Sequence, residues 1–200
     1  TMTYNFDEII DRRNTNSENV EGWRPYIFHC GPERVFPYKD EEFIRMWVAD
    51  MEFAVAPEIL QAITDRVDRR ILGYTLVYDK GYYEALRAWC ESRYGWSFPK
   101  EQLTFSPGVI PALYQLTEDL VKPLNGKVLT MTPAYGFFLH ACEYNGVELV
   151  TSPLREENGR FSVDWEDFET KAADPDVKLL MLCNPHNPTG RIWTCLLYTS

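Results

Sequence analysis

Along this chain the spacing of apolar residues changes character repeatedly, and each change predicts a different element. Residues 1 to 45 show no regular period, and Gly22, Pro25, Gly31, Pro32 and Pro37 interrupt any long element. From Pro57 the pattern becomes helical, with Ile59, Leu60, Ile63, Val67 and Ile71 on one face. Pro57 suits a first helical turn and Gly73 supplies a stop. A second helix is expected from Asp79 as N-cap, through Leu86 and Trp89, to Gly95.

Beyond Gly95 the pattern alternates between strand and helix. Leu103 to Phe105 predicts a short strand, followed by the Ser106-Pro107-Gly108 turn and a helix through Leu113, Leu116 and Leu120 to Pro123. Lys127 to Thr132 predicts a strand, and Tyr135 to Tyr144 a helix closed by Asn145-Gly146. Val147 to Thr151 predicts a strand and Asp164 to Ala173 a helix. The run VKLLMLC, Val177 to Cys183, predicts a strand buried on both faces. Such alternation implies an α/β fold with a mostly parallel sheet, right-handed crossovers and helices layered on both faces. Ligands of such sheets sit beyond the carboxyl ends of the strands. The segments that follow each strand are therefore where chemistry is sought.

Composition narrows the function classes. At 45% hydrophobic and 14% aromatic, the chain carries enough apolar material for one ordinary core. A formal charge of −10 argues against a polyanion such as nucleic acid, which needs clustered Lys and Arg. The basic stretch Arg66, Arg69 and Arg70 is interleaved with Asp65 and Asp68 and reads as a solvated helix face. Five scattered cysteines (Cys30, Cys90, Cys142, Cys183 and Cys195) without CxxC spacing support neither a disulfide framework nor a metal site. No run approaches the roughly 18 apolar residues of a membrane span, and residues 1 to 19 hold no apolar signal core. A reducing, cytoplasmic setting is the expectation.

Three strand exits could carry chemistry. In Ser106-Pro107-Gly108-Val109-Ile110-Pro111 the free N–H groups of Val109 and Ile110 open a helix. They make either an anion site fit for one phosphate or an ordinary turn. In Thr132-Pro133-Ala134-Tyr135 an aromatic ring follows a strand end, available to a planar heteroaromatic or to plain packing. Asn184-Pro185-His186-Asn187-Pro188-Thr189-Gly190 is the most specific of the three, with two Asn-Pro steps and a Gly forcing a tight irregular turn. No GxGxxG and no GxxxxGK[ST] is present, so dinucleotide and P-loop sites are not indicated.

Taken together, these segments resemble the class I/II aminotransferase superfamily of pyridoxal 5'-phosphate (PLP) enzymes. The MWVADMEF segment (Met46 to Phe53), Gly73-Tyr74-Thr75, SPGVIPAL (Ser106 to Leu113) and NPHNPTGRIWTC (Asn184 to Cys195) resemble its MalY/PatB branch of cystathionine β-lyases, in family order. The resemblance implies that Val109 and Ile110 bind the PLP phosphate, that Tyr135 stacks on the pyridine ring, and that Asn187 donates to the phenolate oxygen. It implies a cis Asn187–Pro188 bond and a Tyr74 that reaches the phosphate of a partner subunit, making a homodimer. Ala49 and Asp50 would lie toward the carboxylate of a small amino-acid substrate. Without the resemblance, Tyr74 reads equally as a packing residue at a helix end and Asp50 as a solvated or capping carboxylate.

The implied activity is a carbon–sulfur β-lyase giving pyruvate, ammonia and a thiol, with an aminotransferase as the alternative. None of the seven lysines (Lys39, Lys80, Lys100, Lys122, Lys127, Lys171 and Lys178) lies in a segment like the one around the family's Schiff-base lysine, so no catalytic residue is assigned. The expectation is an N-terminal portion, inactive by itself. Residues 1–45 would belong to a small domain, 46–195 to half of the PLP-binding domain, and 196–200 to a non-native tail.

Overall fold

The structure is a computed structural model that describes residues 4–77 and 79–194. Cys195 and the expected tail at 196–200 lie outside the described residues. The chain divides after residue 78 into two compact units. Each unit is described by itself.

In the first unit, glycine and proline keep the elements short. Helices α1 (Glu18–Glu21) and α2 (Trp23–Tyr26) are single turns, and a 3-10 turn spans Asp40–Glu42. An aromatic cluster links these turns: Trp23, Phe28, Phe36 and Phe43 meet at ring-centroid distances of 4.9 to 6.5 Å. The Arg24 guanidinium lies 4.4 Å above the Trp23 ring, on the electron-rich face that attracts a cation. Helix α3 (Pro57–Val67) begins on the predicted proline but stops at Asp68, short of Gly73. Its stripe of Ile59, Leu60, Ile63 and Val67 is exposed, as is Ile71 beyond it. Periodicity predicted the helix; among the described residues its apolar face is left about half exposed.

The second unit holds the sheet. Helix α4 (Lys80–Tyr94) starts where the Asp79 carboxylate accepts the Tyr82 N–H at 2.7 Å, and ends at left-handed Gly95 with φ 63°. Helix α5 (Val109–Leu116) runs on through a π turn, Thr117–Val121, and a 3-10 turn, Lys122–Leu124. Strand β1 (Lys127–Thr132) follows, then α6 (Gly136–Asn145), β2 (Glu148–Pro153), β3 (Arg155–Glu157), β4 (Arg160–Ser162), α7 (Trp165–Ala172) and β5 (Val177–Met181). β1 pairs in parallel with both β2 and β5, giving the order β2-β1-β5. The fold class is α/β with a parallel sheet, as the alternation predicted.

The core is centred on β1, whose residues Val128, Leu129, Thr130 and Met131 are buried on both faces. Val121, Val128, Phe138, Ala141, Cys142 and Met181 form one apolar cluster, with Leu113, Tyr135 and Leu179 packed around it. The buried Thr130 hydroxyl donates to the Met181 carbonyl at 2.8 Å, so it is not left unsatisfied. On the other side, the Ser152 hydroxyl donates to Asp167 at 2.6 Å. Lys171 donates to Asp167 at 2.8 Å and to the Thr151 carbonyl at 2.7 Å, fastening α7 to β2.

Three elements differ from the sequence reading. Leu103–Phe105 belongs to neither sheet of the described residues: its composition suits a strand, but a strand exists only with a neighbour to ladder against. β5 is an edge strand and is buried on one face only: Met181 is buried and Leu179 packs on the core, whereas Leu180 is 44% exposed. The β3–β4 hairpin went unread, although its turn, Asn158-Gly159 with both φ positive, carries a strong sequence signal.

Burial also sets thiol reactivity. Cys142, on α6, is 1% exposed, and desolvation pushes its thiol pKa up to about 11. Because the thiolate is the nucleophile, iodoacetamide at neutral pH is expected to alkylate half-buried Cys30 and Cys183 well before Cys142. Peptide mass mapping over time measures the order. Equal rates in the folded protein would contradict the packing of α6.

Candidate functional site

Parallel pairing brings the candidate segments to one edge of the sheet. Thr130 of β1 stands opposite Met181 of β5, so both strands end at the same rim. Pro133 to Tyr135 follow one strand and Leu182 to Gly190 the other. Helix α5 reaches that rim by another route. It runs on through residue 124, Asn125 (φ 48°) and Gly126 reverse the chain, and β1 starts at Lys127. The π turn packs on β1 and β5. α5 therefore runs antiparallel to β1, with its N-terminus toward the carboxyl ends of the strands.

At that N-terminus Gly108 is extended, and the Ser106 hydroxyl donates to its carbonyl at 2.8 Å. Val109 and Ile110 are the first two helical residues, whose N–H groups have no intrahelical acceptor by geometry. Together with the positive end of the helix dipole they suit an anion. Tyr135 is the N-cap residue of α6. Its ring is half-buried on the core cluster, edge-on to Phe138 at 6.2 Å and tilted against Phe137 at 5.2 Å.

The segment after β5 is built around a residue that sequence reasoning passed over. His186 is buried, 3% exposed, in an otherwise open turn. Its Nδ1 hydrogen-bonds the Thr189 hydroxyl at 2.7 Å, and its ring meets Trp193 edge-on at 5.3 Å. Its backbone N–H donates to Arg191 and its carbonyl accepts from Gly190, both at 2.7 Å. Trp193 closes the far side, donating from Nε1 to the Cys183 carbonyl at 3.0 Å and from its backbone to Asn184 Oδ1 at 3.1 Å. Desolvation holds the His186 pKa below its ordinary 6.5, which favours the neutral ring. Asn187, at the exposed tip, donates its backbone N–H to Cys183 Sγ at 3.4 Å. The Asn187–Pro188 bond is cis, as are Asn184–Pro185 and Thr132–Pro133. The signal for His186 was present in the sequence, as a histidine between the two Asn-Pro steps.

The remaining site candidates lie in the first unit. Tyr74 is fully exposed in the extended segment after α3. Asp50 forms an ion pair with Arg12 at 2.9 Å, and its backbone N–H donates to the Val48 carbonyl at 2.7 Å. Buried Asn19 holds the same loop by donating to the Trp47 carbonyl at 2.8 Å. Ala49 lies exposed between Val48 and Asp50.

Among the described residues no cluster of His, Cys, Asp or Glu could hold a metal ion, and no helix is long and apolar enough to cross a membrane. The donor set at the rim instead suits an organic anion. It offers two helix-opening N–H groups for a phosphate, an aromatic ring for a planar heteroaromatic, and a carboxamide for a ring oxygen.

Comparison with known proteins agrees with that chemistry. Residues 41–198 match the family described as Aminotransferase class I and II. The chain is 42% identical over 149 residues to cystathionine beta-lyase PatB of Bacillus subtilis, covering 74% of this chain and 38% of the relative. The structure superposes on the PLP-bound C-S lyase of Staphylococcus hominis with a TM-score of 0.81 and 43% identity, over 96% of this chain and 46% of that one. Cystalysin of Treponema denticola, whose crystal structure contains a pyridoxal 5'-phosphate cofactor, gives a TM-score of 0.81 at 28% identity, again over 96% and 46%. The chain thus spans less than half the length of these relatives.

Proposed function

The chain belongs to the aminotransferase class I and II family, and on that premise we propose that it supplies the cofactor grip of a PLP-dependent carbon–sulfur β-lyase. The observation that carries the reading is the donor set at the carboxyl rim, read beside the 43% identity to a PLP-bound C-S lyase. The N–H groups of Val109 and Ile110 hold the phosphate, Tyr135 lies on the pyridine ring, and the Asn187 carboxamide donates to the phenolate oxygen. Bound there, PLP supplies an electron sink for the charge left when an amino acid loses its Cα proton.

The work of this chain's residues is to bind and orient. The N-terminus of α5 offsets the phosphate charge, Tyr135 limits tilting of the ring, and Asn187 favours the ionised phenolate. Ala49 and Asp50 face the carboxylate side of the substrate, and Tyr74 serves the phosphate of the partner subunit in a cytoplasmic homodimer. In the intact protein, residues 1–45 belong to a small domain and 46–195 to the PLP-binding domain. None of the seven lysines is assigned the cofactor-linking role.

In the reaction, the Cβ–S bond of a thioether amino acid breaks and water is consumed. The products are a thiol, pyruvate and ammonia. Expressed from its genomic reading frame, the protein is expected to take up PLP and to release pyruvate from cystathionine. The same preparation, given an amino acid and a 2-oxo acid, tests the aminotransferase reading, which the family also accommodates. Conversion of the 2-oxo acid into a new amino acid without pyruvate from cystathionine would overturn the lyase reading. Protein that remains free of PLP would overturn both.

A further inference from the structure

We propose that His186 is a positioning residue, whose buried imidazole sets the turn that presents the Asn187 carboxamide. The inference rests on the cofactor reading only for what the carboxamide then grips.

Placing a polar ring at 3% exposure costs free energy unless its nitrogens are satisfied. Here Nδ1 is satisfied by the Thr189 hydroxyl at 2.7 Å. The ring, the backbone N–H and the carbonyl of His186 engage Thr189, Arg191 and Gly190 respectively, three consecutive residues. The chain is therefore folded around one side chain, and Trp193 seals it from the other edge. Asn187 and Pro188 form the tip between His186 and its partners, and the Asn187 backbone is also held by Cys183 Sγ. Fixing the backbone on both sides fixes the direction in which the Asn187 side chain leaves the chain, a preorganisation that favours a one-bond contact to a ring oxygen. The Thr189 hydroxyl lies also 3.4 Å from the Arg191 N–H, so it ties the imidazole to the outgoing chain.

The test compares His186→Phe, which keeps a ring against Trp193 but loses the bond, with Thr189→Val and Thr189→Ser, of which only the serine keeps the hydroxyl. Two readouts are taken on the full-length protein. One is the side-chain NH2 resonance of Asn187 in 15N-labelled, PLP-free protein, assigned by its absence in Asn187→Ala. The other is PLP affinity by absorbance titration. His186→Phe and Thr189→Val are expected to displace or broaden the Asn187 resonance and to weaken PLP binding about tenfold, the weight of one net hydrogen bond. Thr189→Ser is expected to retain both properties. Added to Asn187→Ala, neither substitution should weaken PLP binding further.

An unmoved Asn187 resonance would overturn the proposal. So would a loss of affinity that persists in full on the Asn187→Ala background, since His186 would then act elsewhere. If the unsubstituted protein takes up no PLP, the cofactor reading fails by itself, and the resonance still decides the positioning role. If His186→Phe does not fold, the Thr189 pair decides it.

Discussion

Val109→Pro is expected to weaken PLP binding by about ten- to a hundredfold, the worth of one hydrogen bond to a charged group, while leaving thermal stability intact. The two halves of that expectation come from one geometric fact. Val109 is the first residue of α5, where the backbone N–H has no helical acceptor and proline costs the helix nothing. Gly108 before it is extended, with ψ 170°, outside the α region that a following proline disfavours. The Val109 side chain is 75% exposed, so its loss removes little packing. What disappears is a single donor facing the proposed phosphate. Val109→Ala, which keeps the donor, is the control and should bind as the unsubstituted protein does. Isothermal titration with PLP measures the difference, and inorganic phosphate as a second probe isolates the anion contribution. Equal affinity for Val109→Pro and Val109→Ala would remove the phosphate from the N-terminus of α5.

Phe138→Ala should destabilise the protein by about 3–5 kcal/mol, the usual range for emptying a buried aromatic site. Phe138 is 7% exposed and packs with Val121, Val128, Ala141, Cys142 and Met181, the residues that join α6 and the π turn to the sheet. Against a typical total stability of about 5–15 kcal/mol, that is a large fraction. Phe138 also meets the Tyr135 ring edge-on at 6.2 Å, so the cavity opens beside the ring proposed to hold the cofactor. Leu139→Ala, at the adjacent and 45% exposed position of the same helix, should shift stability by at most about 0.5 kcal/mol. Urea midpoints followed by circular dichroism compare the two. Similar small shifts for both would mean that α6 does not seat on this core as described.

Local chemistry explains which parts of the fold were legible. Asp79 and Asp164 cap helices through their own carboxylates, and Gly95 and Gly146 end them at positive φ; each signal acts within a few residues of the chain. The parallel strands were legible because β1 is a short, β-branched and apolar run between turn residues. Leu103–Phe105 was misread because a strand is defined by its neighbour, which composition does not reveal. For the site, the heptapeptide Asn184 to Gly190 was readable as an irregular turn, but the burial of His186 inside it was not. Whether a histidine is solvated or enclosed depends on Thr189 and Trp193 closing over it.

By itself, then, the amino-acid order determined most of the alternating elements, their caps, the start of α5 and the family to which these motifs point, because each depends on residues close together along the chain. Only the tertiary structure decided that β1 lies between β2 and β5, that β5 is an edge with Leu180 exposed, and that α5 runs back against β1. It also decided that the apolar stripe of α3 is left about half exposed among the described residues. These outcomes depend on pairings between residues tens of positions apart. Hydrophobicity drives such burial without direction, and hydrogen-bond register and the order of the strands select the partner.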